Sequence, residues 1–331
     1  MRTALVTGAA GFIGFHLSRL LLDQGWRVVG VDNHNDYYDP ALKAAREAQL
    51  TGNYRAVRGA VETPGLLAGL MAEERPDAVI HLAAQAGVRH SIDNPRAYVQ
   101  SNLLGTFELL EAARAHPPAH LLLASTSSVY GANTAMPYRE TDKADSQMSF
   151  YAATKKSTEA MAHSYAHLFG LPVTMFRFFT VYGPWGRPDM APYLFTDAIL
   201  AGRPIRVFNH GEMSRDFTFA GDLVRALALV IDAVPGTIPV GDFDSLSPVA
   251  PFRVVNIGNG APVPLLDFIA AIETAAGRAA VKEMAPMQPG DVPATWADTT
   301  LLRALTGYAP ETGIAEGIAE YVAWFRDYYR R

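Results

Sequence analysis

The stretch that decides the fold is TALVTGAAGFIG, residues 3–14. Its first five residues predict a buried strand, and Gly8, Gly11 and Gly14 lie between this strand and an apolar helical pattern. Glycines at this spacing allow a tight turn and let a pyrophosphate approach the backbone at the N-terminus of the helix. The alternative is a glycine-rich turn needed only for packing, but the strand–glycines–helix order favours a dinucleotide site.

The next strand supplies a second cofactor residue. Asp32 ends the predicted strand at 27–32. A carboxylate at this position can accept hydrogen bonds from the ribose hydroxyls of adenosine and repels a 2′-phosphate. Asp32 therefore favours NAD over NADP, although a turn residue that simply ends the strand is the alternative.

Beyond these residues, strands and helices alternate through the first half of the chain. Strands that are nearly all apolar and are separated by helices are typical of a parallel sheet covered on both faces. We therefore expect an α/β fold with a Rossmann-like, doubly wound parallel sheet. The predicted strands are 3–7, 27–32, 54–58, 78–82, 119–125 and 173–178, and the predicted helices are 12–24, 41–50, 64–74, 95–115 and 149–169.

After Thr180, prolines and glycines interrupt this alternation. The predicted helices 193–200, 222–233, 265–276 and 314–329 mix there with short strands at 205–208 and 253–257. We expect an NAD-binding domain at 1–178, to which segments from about 217–257 return. Residues 179–216 and 258–331 are then a smaller α/β substrate-binding domain.

Composition excludes several classes of protein. The 331 residues include no cysteine, which excludes disulfide scaffolds, cysteine-ligated metal sites and thiolate nucleophiles. The net charge of −5 without a basic block predicts no nucleic-acid partner. No apolar run approaches the ~18 residues of a membrane span, and glycines interrupt the apolar N-terminal stretch. We therefore expect no membrane partner and a cytoplasmic location.

A second cluster predicts proton-transfer chemistry. Tyr151 and Lys155 are four residues apart in a predicted helix, so they share one face. A nearby ammonium group favours the phenolate, so Lys155 is expected to lower the pKa of Tyr151 and to bind the nicotinamide ribose. The hydroxyl run STSS at 125–128 ends a predicted strand, at the edge where ligands bind in such sheets. One of these hydroxyls can share a proton with a substrate hydroxyl.

Longer motifs now identify a resemblance that spans essentially the whole chain. It resembles an extended short-chain dehydrogenase/reductase, and within that group a nucleotide-sugar epimerase. Five segments narrow the resemblance to UDP-glucuronate 4-epimerases: DNHNDYYD at 32–39, AQAGVR at 84–89, RFFTVYGPWGRPDM at 177–190, NHGEMSRDFT at 209–218 and QPGD at 288–291. The resemblance implies bound NAD, a UDP-sugar acid as substrate, and a homodimer built from helices 95–115 and 149–169.

The resemblance also implies roles for individual residues. Tyr151 matches the catalytic base, assisted by Lys155 and Thr126. Arg215 matches an arginine that binds the UDP diphosphate, and a hydroxyl at Thr180 suits a substrate carboxylate, for which Arg187 is a further partner. The implied cofactor contacts are Gly8, Gly11, Phe12, Ile13, Gly14, Asp32, Asn33, Leu82, Ala83, Ala84, Gln85, Asn102, Tyr151 and Lys155, and the implied substrate contacts are Arg89, Ser127, Ser128, Thr180, Arg187, Phe208, Asn209, Arg215 and Asp291.

One position departs from the family pattern. Proteins of this resemblance usually carry Gly-Asp after the third strand, where the aspartate contacts the adenine amino group. This chain has Ala60 instead, so that contact is either absent or supplied by Glu62.

Other differences from related enzymes favour epimerisation. Sugar dehydratases of similar sequence carry Asp-Glu where this chain has Ser127 and Ser128, and decarboxylases carry Glu at the position of Ser128. We expect 4-epimerisation of UDP-glucuronate to UDP-galacturonate through a 4-keto intermediate. The alternatives are a UDP-glucose or UDP-N-acetylhexosamine 4-epimerase, a UDP-glucuronate decarboxylase, and a non-catalytic NAD-binding sensor. His163 and His167 have a spacing that suits a metal, but no third ligand accompanies them, so we predict no metal site.

Overall fold

The computed structural model describes residues 1–287 and 292–331, and its central element is a seven-stranded parallel sheet. Smaller sheets surround it in the second half of the chain. The strands are β1 Thr3–Thr7, β2 Arg27–Asp32, β3 Tyr54–Arg58, β4 Ala78–His81, β5 His120–Thr126, β6 Val173–Phe178, β7 Thr180–Tyr182, β8 Ile205–Val207, β9 Ser214–Phe219, β10 Phe252–Ile257, β11 Pro262–Pro264, β12 Lys282–Met284 and β13 Ala294–Thr295.

The helices cover this sheet and build the second half of the chain. None of the described helices has the length and apolar content of a segment that crosses a bilayer. The α-helices are α1 Phe12–Asp23, α2 Pro40–Glu47, α3 Leu66–Glu74, α4 His90–Asp93, α5 Pro95–Tyr98, α6 Gly105–Ala115, α7 Phe150–Phe169, α8 Ala191–Ala201, α9 Ala220–Val230, α10 Leu265–Ala276, α11 Thr300–Thr306 and α12 Ile314–Tyr329.

The strand order of the large sheet is β3-β2-β1-β4-β5-β6-β10. The order reverses between β1 and β4, and ligands bind in such sheets at the carboxyl ends of the strands beside this reversal. Two apolar cores, one on each face, hold the helices: α1 and α9 pack together, and α3, α6 and α7 form a second layer. The prediction of a Rossmann-like α/β fold is confirmed.

The helix predicted at 95–115 is not one regular α-helix. A π-helical segment, Val99–Leu104, joins α5 to α6. Such segments are rare and occur mainly at functional sites. The hydrogen bonds of Asn102, described below, show what this one positions.

The second half of the chain divides between the large sheet and a separate core. β10 lies beside β6 in the large sheet, whereas β9 pairs with β7, β11 and β13 outside it. Helices α8, α10 and α12 enclose an apolar core with Phe217, Phe268 and Phe325 among its buried residues. This arrangement places a second structural layer over the carboxyl edge of the large sheet.

Candidate active site

A cavity of about 390 Å³ lies at the carboxyl ends of β1, β4, β5 and β6. Its volume falls in the range of small-molecule sites. It brings together most of the residues that the sequence singled out. Those in its wall are Gly8, Gly11, Phe12, Ile13, Gly14, Asp32, Asn33, Leu82, Ala83, Ala84, Gln85, Thr126, Ser127, Ser128, Tyr151, Lys155, Thr180 and Arg187.

The glycines form a backbone cradle that no side chain can enter. A Cβ atom at Gly14 would lie 2.0 Å from the carbonyl oxygen of Gly8, and one at Gly8 would lie 2.8 Å from the amide nitrogen of Ala83. Gly8 also has a φ of +71°, which other residues rarely adopt. Helix α1 begins immediately after this turn without a side-chain cap, and its first residues line the cavity, so its N-terminal amides are available to an anionic ligand.

Asp32 is held at the end of β2 by its neighbours. Its carboxylate accepts hydrogen bonds from the backbone N–H groups of His34 (2.8 Å) and Ala10 (3.2 Å). The Lys43 ammonium lies 3.2 Å from Oδ1 of Asp32, and both side chains are buried. Sequence reasoning missed Lys43, because one lysine in the short amphipathic helix α2 carries no local signal.

Glu62 is the candidate to replace the adenine contact of the aspartate that this chain lacks at position 60. Gly59, Val61 and Glu62 line the cavity, and Oε2 of Glu62 is a buried oxygen without a hydrogen-bond partner. A buried acceptor without a partner costs free energy unless a ligand donates to it. Together with the glycine cradle, this oxygen fits the adenosine half of NAD, whose adenine carries an amino group.

Tyr151 is the second residue of α7, which is capped by Ser149 through a hydrogen bond from the Ala152 N–H (3.1 Å). Burial raises the pKa of Tyr151, while the hydrogen bond with Thr126 and the positive charge of Arg187 oppose that rise. The pKa of Tyr151 therefore lies above its ordinary value, and the expected effect of Lys155 on it stays a prediction. The positive charge that opposes the rise comes from Arg187, which spacing in the sequence alone could not bring into the same cavity.

Lys155 is buried one helical turn after Tyr151. Burial lowers its pKa to about 8, and the negative charge of Glu159 opposes this shift. Glu159 accepts hydrogen bonds from Arg177 at 2.9 and 3.0 Å and from the hydroxyl of Ser125 at 2.7 Å. This buried ion pair fixes α7 against the ends of β5 and β6, and it was not predicted, because it joins groups that are remote in sequence.

Asn102 connects the cofactor loop to the catalytic helix. Its side chain accepts a hydrogen bond from Gln85 N–H (2.8 Å), and it donates to the Gln85 carbonyl (3.1 Å) and to Thr154 Oγ1 (3.0 Å). Thr154 in turn donates to the backbone carbonyl of Tyr151 (2.8 Å). Asn102 is itself fully buried behind the cavity wall, so it acts by positioning the two segments that form the wall.

The other end of the cavity carries hydroxyl groups and a guanidinium group. Ser127, Ser128 and Thr180 line it beside Arg187. Arg187 donates from Nε and Nη2 to the carboxylate of Asp189, at 3.0 and 2.5 Å. This set can bind a carboxylate, because hydroxyls and guanidinium N–H groups are donors that match its oxygens.

Of the remaining residues predicted to bind substrate, the four that the structure describes do not line this cavity. Arg89 lies with its guanidinium 5.6 Å from the centre of the Phe208 ring. Asn209 donates to the carbonyl of Glu212 (2.7 Å), and Arg215 donates to the carbonyls of Ser214 and Pro293. Asp291 lies outside the described residues. The roles of these five residues stay predictions.

The arrangement can support transfer of a hydride and a proton at a carbon atom that bears a hydroxyl group. A phenol, a lysine and a threonine hydroxyl line the same cavity as the glycine cradle, which fits a dinucleotide. Among the described residues, no group of three or more His, Asp or Glu side chains is placed to hold a metal ion. A dinucleotide in this cavity would supply a redox step, and Tyr151 is the candidate for the proton.

Comparison with known proteins agrees with this geometry. Residues 4–241 match the model of the "NAD dependent epimerase/dehydratase family". A "Probable UDP-glucuronate 4-epimerase" from Rhizobium meliloti (strain 1021) is 52% identical, covering 99% of this chain and 98% of that protein. The UDP-glucuronic acid 4-epimerase of Bacillus cereus, solved with UDP-glucuronic acid and NAD, superposes with a TM-score of 0.87 at 31% identity, over 99% of this chain and 100% of that one. The UDP-glucose 4-epimerase of Thermotoga maritima, solved with UDP-glucose, gives 0.84 at 28% identity, over 99% of both chains. This chain therefore belongs to the NAD-dependent epimerase/dehydratase family.

Proposed function

We propose that this protein interconverts UDP-glucuronate and UDP-galacturonate by NAD-dependent epimerisation at C4, through a transient 4-keto sugar. The observation that carries the proposal is the convergence of Tyr151, Thr126 and Lys155 with Ser127, Ser128, Thr180 and Arg187 in one cavity. The first three suit proton transfer at a hydroxyl-bearing carbon, and the other four suit a carboxylate. The 52% identity to a probable UDP-glucuronate 4-epimerase supports the same substrate.

The residues of the chain divide the work of the reaction. NAD, held by the glycine cradle and Asp32, would supply the hydride acceptor and, once reduced, the hydride donor. Tyr151 takes the proton of the C4 hydroxyl as the ketone forms and gives it back when the alcohol is restored. Thr126 hydrogen-bonds to Tyr151 and lowers its pKa against the effect of burial, so the phenol is easier to deprotonate. Lys155 fits the hydroxyls of the nicotinamide ribose, and Asn102 fixes the helix that carries both residues.

The keto sugar must then present its other face. Rotation about the diphosphate linkage achieves this without release, provided that the UDP part stays bound. We propose that five residues of the 84–89 motif and of the segments 179–216 and 258–331 hold the UDP part. They are Arg89, Phe208, Asn209, Arg215 and Asp291. This division assigns hydride transfer to the large sheet and retention of the nucleotide to the second layer.

The carboxylate imposes a further demand. A 4-keto uronic acid is a β-keto acid, which loses CO₂ when the bond from C5 to the carboxylate aligns with the π system of the ketone. An enzyme that only epimerises must prevent this alignment. Donors from Ser127, Ser128, Thr180 and Arg187 can fix the carboxylate in another orientation.

The test is to incubate the purified protein with UDP-glucuronate and to resolve the products by anion exchange and NMR. We expect UDP-galacturonate, with UDP-glucose turned over far more slowly. A dominant UDP-pentose product would identify a decarboxylase, and faster turnover of UDP-glucose or UDP-N-acetylglucosamine would identify a neutral-sugar epimerase. Tyr151→Phe should retain NAD and lose turnover by a factor of about 10²–10⁴, which is the usual contribution of a positioned acid–base group. NAD binding without turnover of any of these sugars in the unmodified protein would favour a sensor.

We also propose that the protein is a homodimer. Large apolar side chains are exposed along the joined helices 95–115 and on α7: Val99, Leu104, Phe107, Phe150 and Leu168. Because α6 and α7 pack side by side, two copies can bury these side chains in a four-helix interface. Sedimentation of the protein and of Leu104→Glu checks this, and a monomer at micromolar concentration in the unchanged protein would refute it. A cytoplasmic location fits the use of NAD and a nucleotide sugar, and cell fractionation tests it.

A further inference from the structure

Arg187 and Asp189 form a compact ion pair in the wall of the cavity. Nε of Arg187 donates to Oδ1 of Asp189 at 3.0 Å, and Nη2 donates to Oδ2 at 2.5 Å. The side chains are only 21% and 27% exposed. The hydroxyl of Tyr37 donates to Oδ2 of Asp189 at 3.1 Å. Asp189 thus binds one edge of the guanidinium and is itself bound by a tyrosine that lies 152 residues earlier in the chain.

The backbone before Arg187 is already fixed from the first half of the chain. Arg46 donates to the carbonyl of Trp185 at 2.6 and 3.1 Å, and the His16 ring nitrogen lies 2.8 Å from the carbonyl of Pro184. Trp185 has a φ of +63°, a strained conformation for a residue other than glycine. These contacts fix the loop but not the long side chain of Arg187. Among the described residues, Asp189 is the group that clamps the guanidinium side-on.

The pair is ionised, and the charge of Arg187 also acts on Tyr151, the residue that we propose transfers the proton. Burial alone would raise the pKa of Asp189, but the charge and hydrogen bonds of Arg187 lower it. Burial would lower the pKa of Arg187, but Asp189 raises it. Both groups are therefore ionised at neutral pH. Arg187 and Tyr151 line the same cavity, and the charge of Arg187 opposes the rise that burial causes in the pKa of Tyr151.

We propose that Asp189, held by Tyr37, is a positioning residue that fixes the guanidinium of Arg187 for the carboxylate of the sugar. The proposal rests on the proposed function above. A guanidinium has five N–H donors in a planar fork, so clamping Nε and Nη2 on one side leaves other donors of the same plane for a second carboxylate. Asp189 therefore controls how the carboxylate is oriented relative to C5 of the keto sugar, and hence whether CO₂ can leave.

Simple electrostatics and orientation predict opposite changes in substrate binding when the charge of Asp189 is removed. An aspartate beside an anionic substrate repels it, so removing the negative charge should strengthen binding. Orientation predicts weaker binding, because a guanidinium without its clamp must lose side-chain entropy when substrate binds. The sign of the change in KM for Asp189→Asn therefore decides between the two effects.

The experiment compares Asp189→Asn, Tyr37→Phe, Arg187→Gln and the double variant Asp189→Asn/Arg187→Gln with the unchanged protein. Asp197→Asn is the matched control, since it removes a carboxylate that pairs with Arg203 and Arg331 outside the cavity. For each protein we measure KM and kcat with UDP-glucuronate, the fraction of turnovers that release CO₂, the affinity for UDP alone, and the Tm.

Asp189→Asn should raise KM by roughly 10-fold or more, the scale of a lost charge-assisted contact, with kcat changed less. CO₂-losing product should appear, while the affinity for UDP stays within about 2-fold, because UDP carries no sugar carboxylate. Tyr37→Phe should shift the same quantities in the same direction by less. Adding Asp189→Asn to Arg187→Gln should change nothing further, since a positioning residue acts only through its partner.

Three results would overturn the proposal: an unchanged or lowered KM in Asp189→Asn, an unchanged product ratio, or an equal effect in the Arg187→Gln background. If Asp189→Asn loses more Tm than Asp197→Asn, Tyr37→Phe decides, because it removes one hydroxyl and keeps the ring. An unchanged KM and product ratio in that variant would then reject the proposal. Failure of the unchanged protein to convert UDP-glucuronate would instead refute the proposed function.

Discussion

Glu62 gives the sharpest test of how the cavity binds its cofactor. The residue lines the cavity in the segment that follows β3, and its Oε2 is buried without a hydrogen-bond partner. If the adenine amino group donates to this oxygen, replacing Glu62 with alanine removes a hydrogen bond from bound NAD. It also removes an unsatisfied acceptor from the free protein.

The substitution should weaken NAD binding but should not destabilise the free protein, and the sizes of both effects can be estimated. A hydrogen bond to a charged acceptor contributes about 1.5–3 kcal/mol, which corresponds to a factor of roughly 10–150 in Kd. The free protein should lose no stability, because burying an acceptor without a partner costs free energy. Glu62→Gln keeps an acceptor oxygen without the charge, so its Kd should be intermediate.

The assay is calorimetric titration of NAD-free protein with NAD, with ADP-ribose, and with nicotinamide hypoxanthine dinucleotide, which has an oxygen in place of the adenine amino group. We expect Glu62→Ala to weaken NAD and ADP-ribose equally and to leave the hypoxanthine analogue no weaker. Glu73→Ala serves as the control, because Glu73 is an exposed residue of α3 that pairs with Arg55. Equal losses for NAD and its hypoxanthine analogue, or no loss at all, would contradict the adenine contact.

Three further predictions follow from packing and burial. Gly14→Ala should abolish NAD binding and lower the Tm, because its Cβ would lie 2.0 Å from the Gly8 oxygen. The control is Gly69→Ala in α3, whose Cβ would meet nothing within 4 Å and which should be neutral or slightly stabilising. Calorimetry with NAD and melting curves check both variants. Asn102→Ala should destabilise the protein by about 2–4 kcal/mol and weaken NAD binding, because both buried backbone groups of Gln85 lose their partner; a Tm close to that of the unchanged protein would refute this. Burial raises the pKa of Glu140 from 4.5 to about 7, so the folded state holds more protons than the unfolded state and the unchanged protein loses stability as pH rises. The Gln side chain of Glu140→Gln can still accept the hydrogen bond from the Asn256 N–H. The stability of this variant relative to the unchanged protein should increase by about 2–3 kcal/mol between pH 5 and pH 8, which appears as a growing difference in Tm. A constant Tm difference would contradict the assignment.

The cofactor half of the site was predictable because its signals are local. The glycines, Asp32 and the loop at Leu82 each follow a strand, and parallel strands bring their carboxyl ends to one edge of the sheet. Once the alternation of strands and helices was recognised, the meeting of these residues followed from topology. Tyr151 and Lys155 were predictable for a similar reason, since four residues make one turn of a helix.

Electrostatic partners were not predictable in this way. No spacing in the sequence reveals which charged side chains pair. The structure shows ion pairs of Lys43 with Asp32, of Glu159 with Arg177, and of Asp189 with Arg187, and a hydrogen bond from Tyr37 to Asp189. The rise in the pKa of Tyr151 was not predictable for the same reason. Burial depends on every element around a side chain, and here it raises the pKa of Tyr151, with Arg187 as the opposing cation.

The sequence by itself determined the fold class, the dinucleotide cradle and the candidates for proton transfer, because each is encoded within one strand, turn or helix. Only the tertiary structure decided which charges face one another, how the loop at Pro184–Asp189 is fixed by Arg46 and Tyr37, and that Glu62 Oε2 is left without a partner. The physical reason is that hydrogen bonds and Coulomb interactions depend on distance and burial in space, which the chain sets only when elements more than a hundred residues apart pack together.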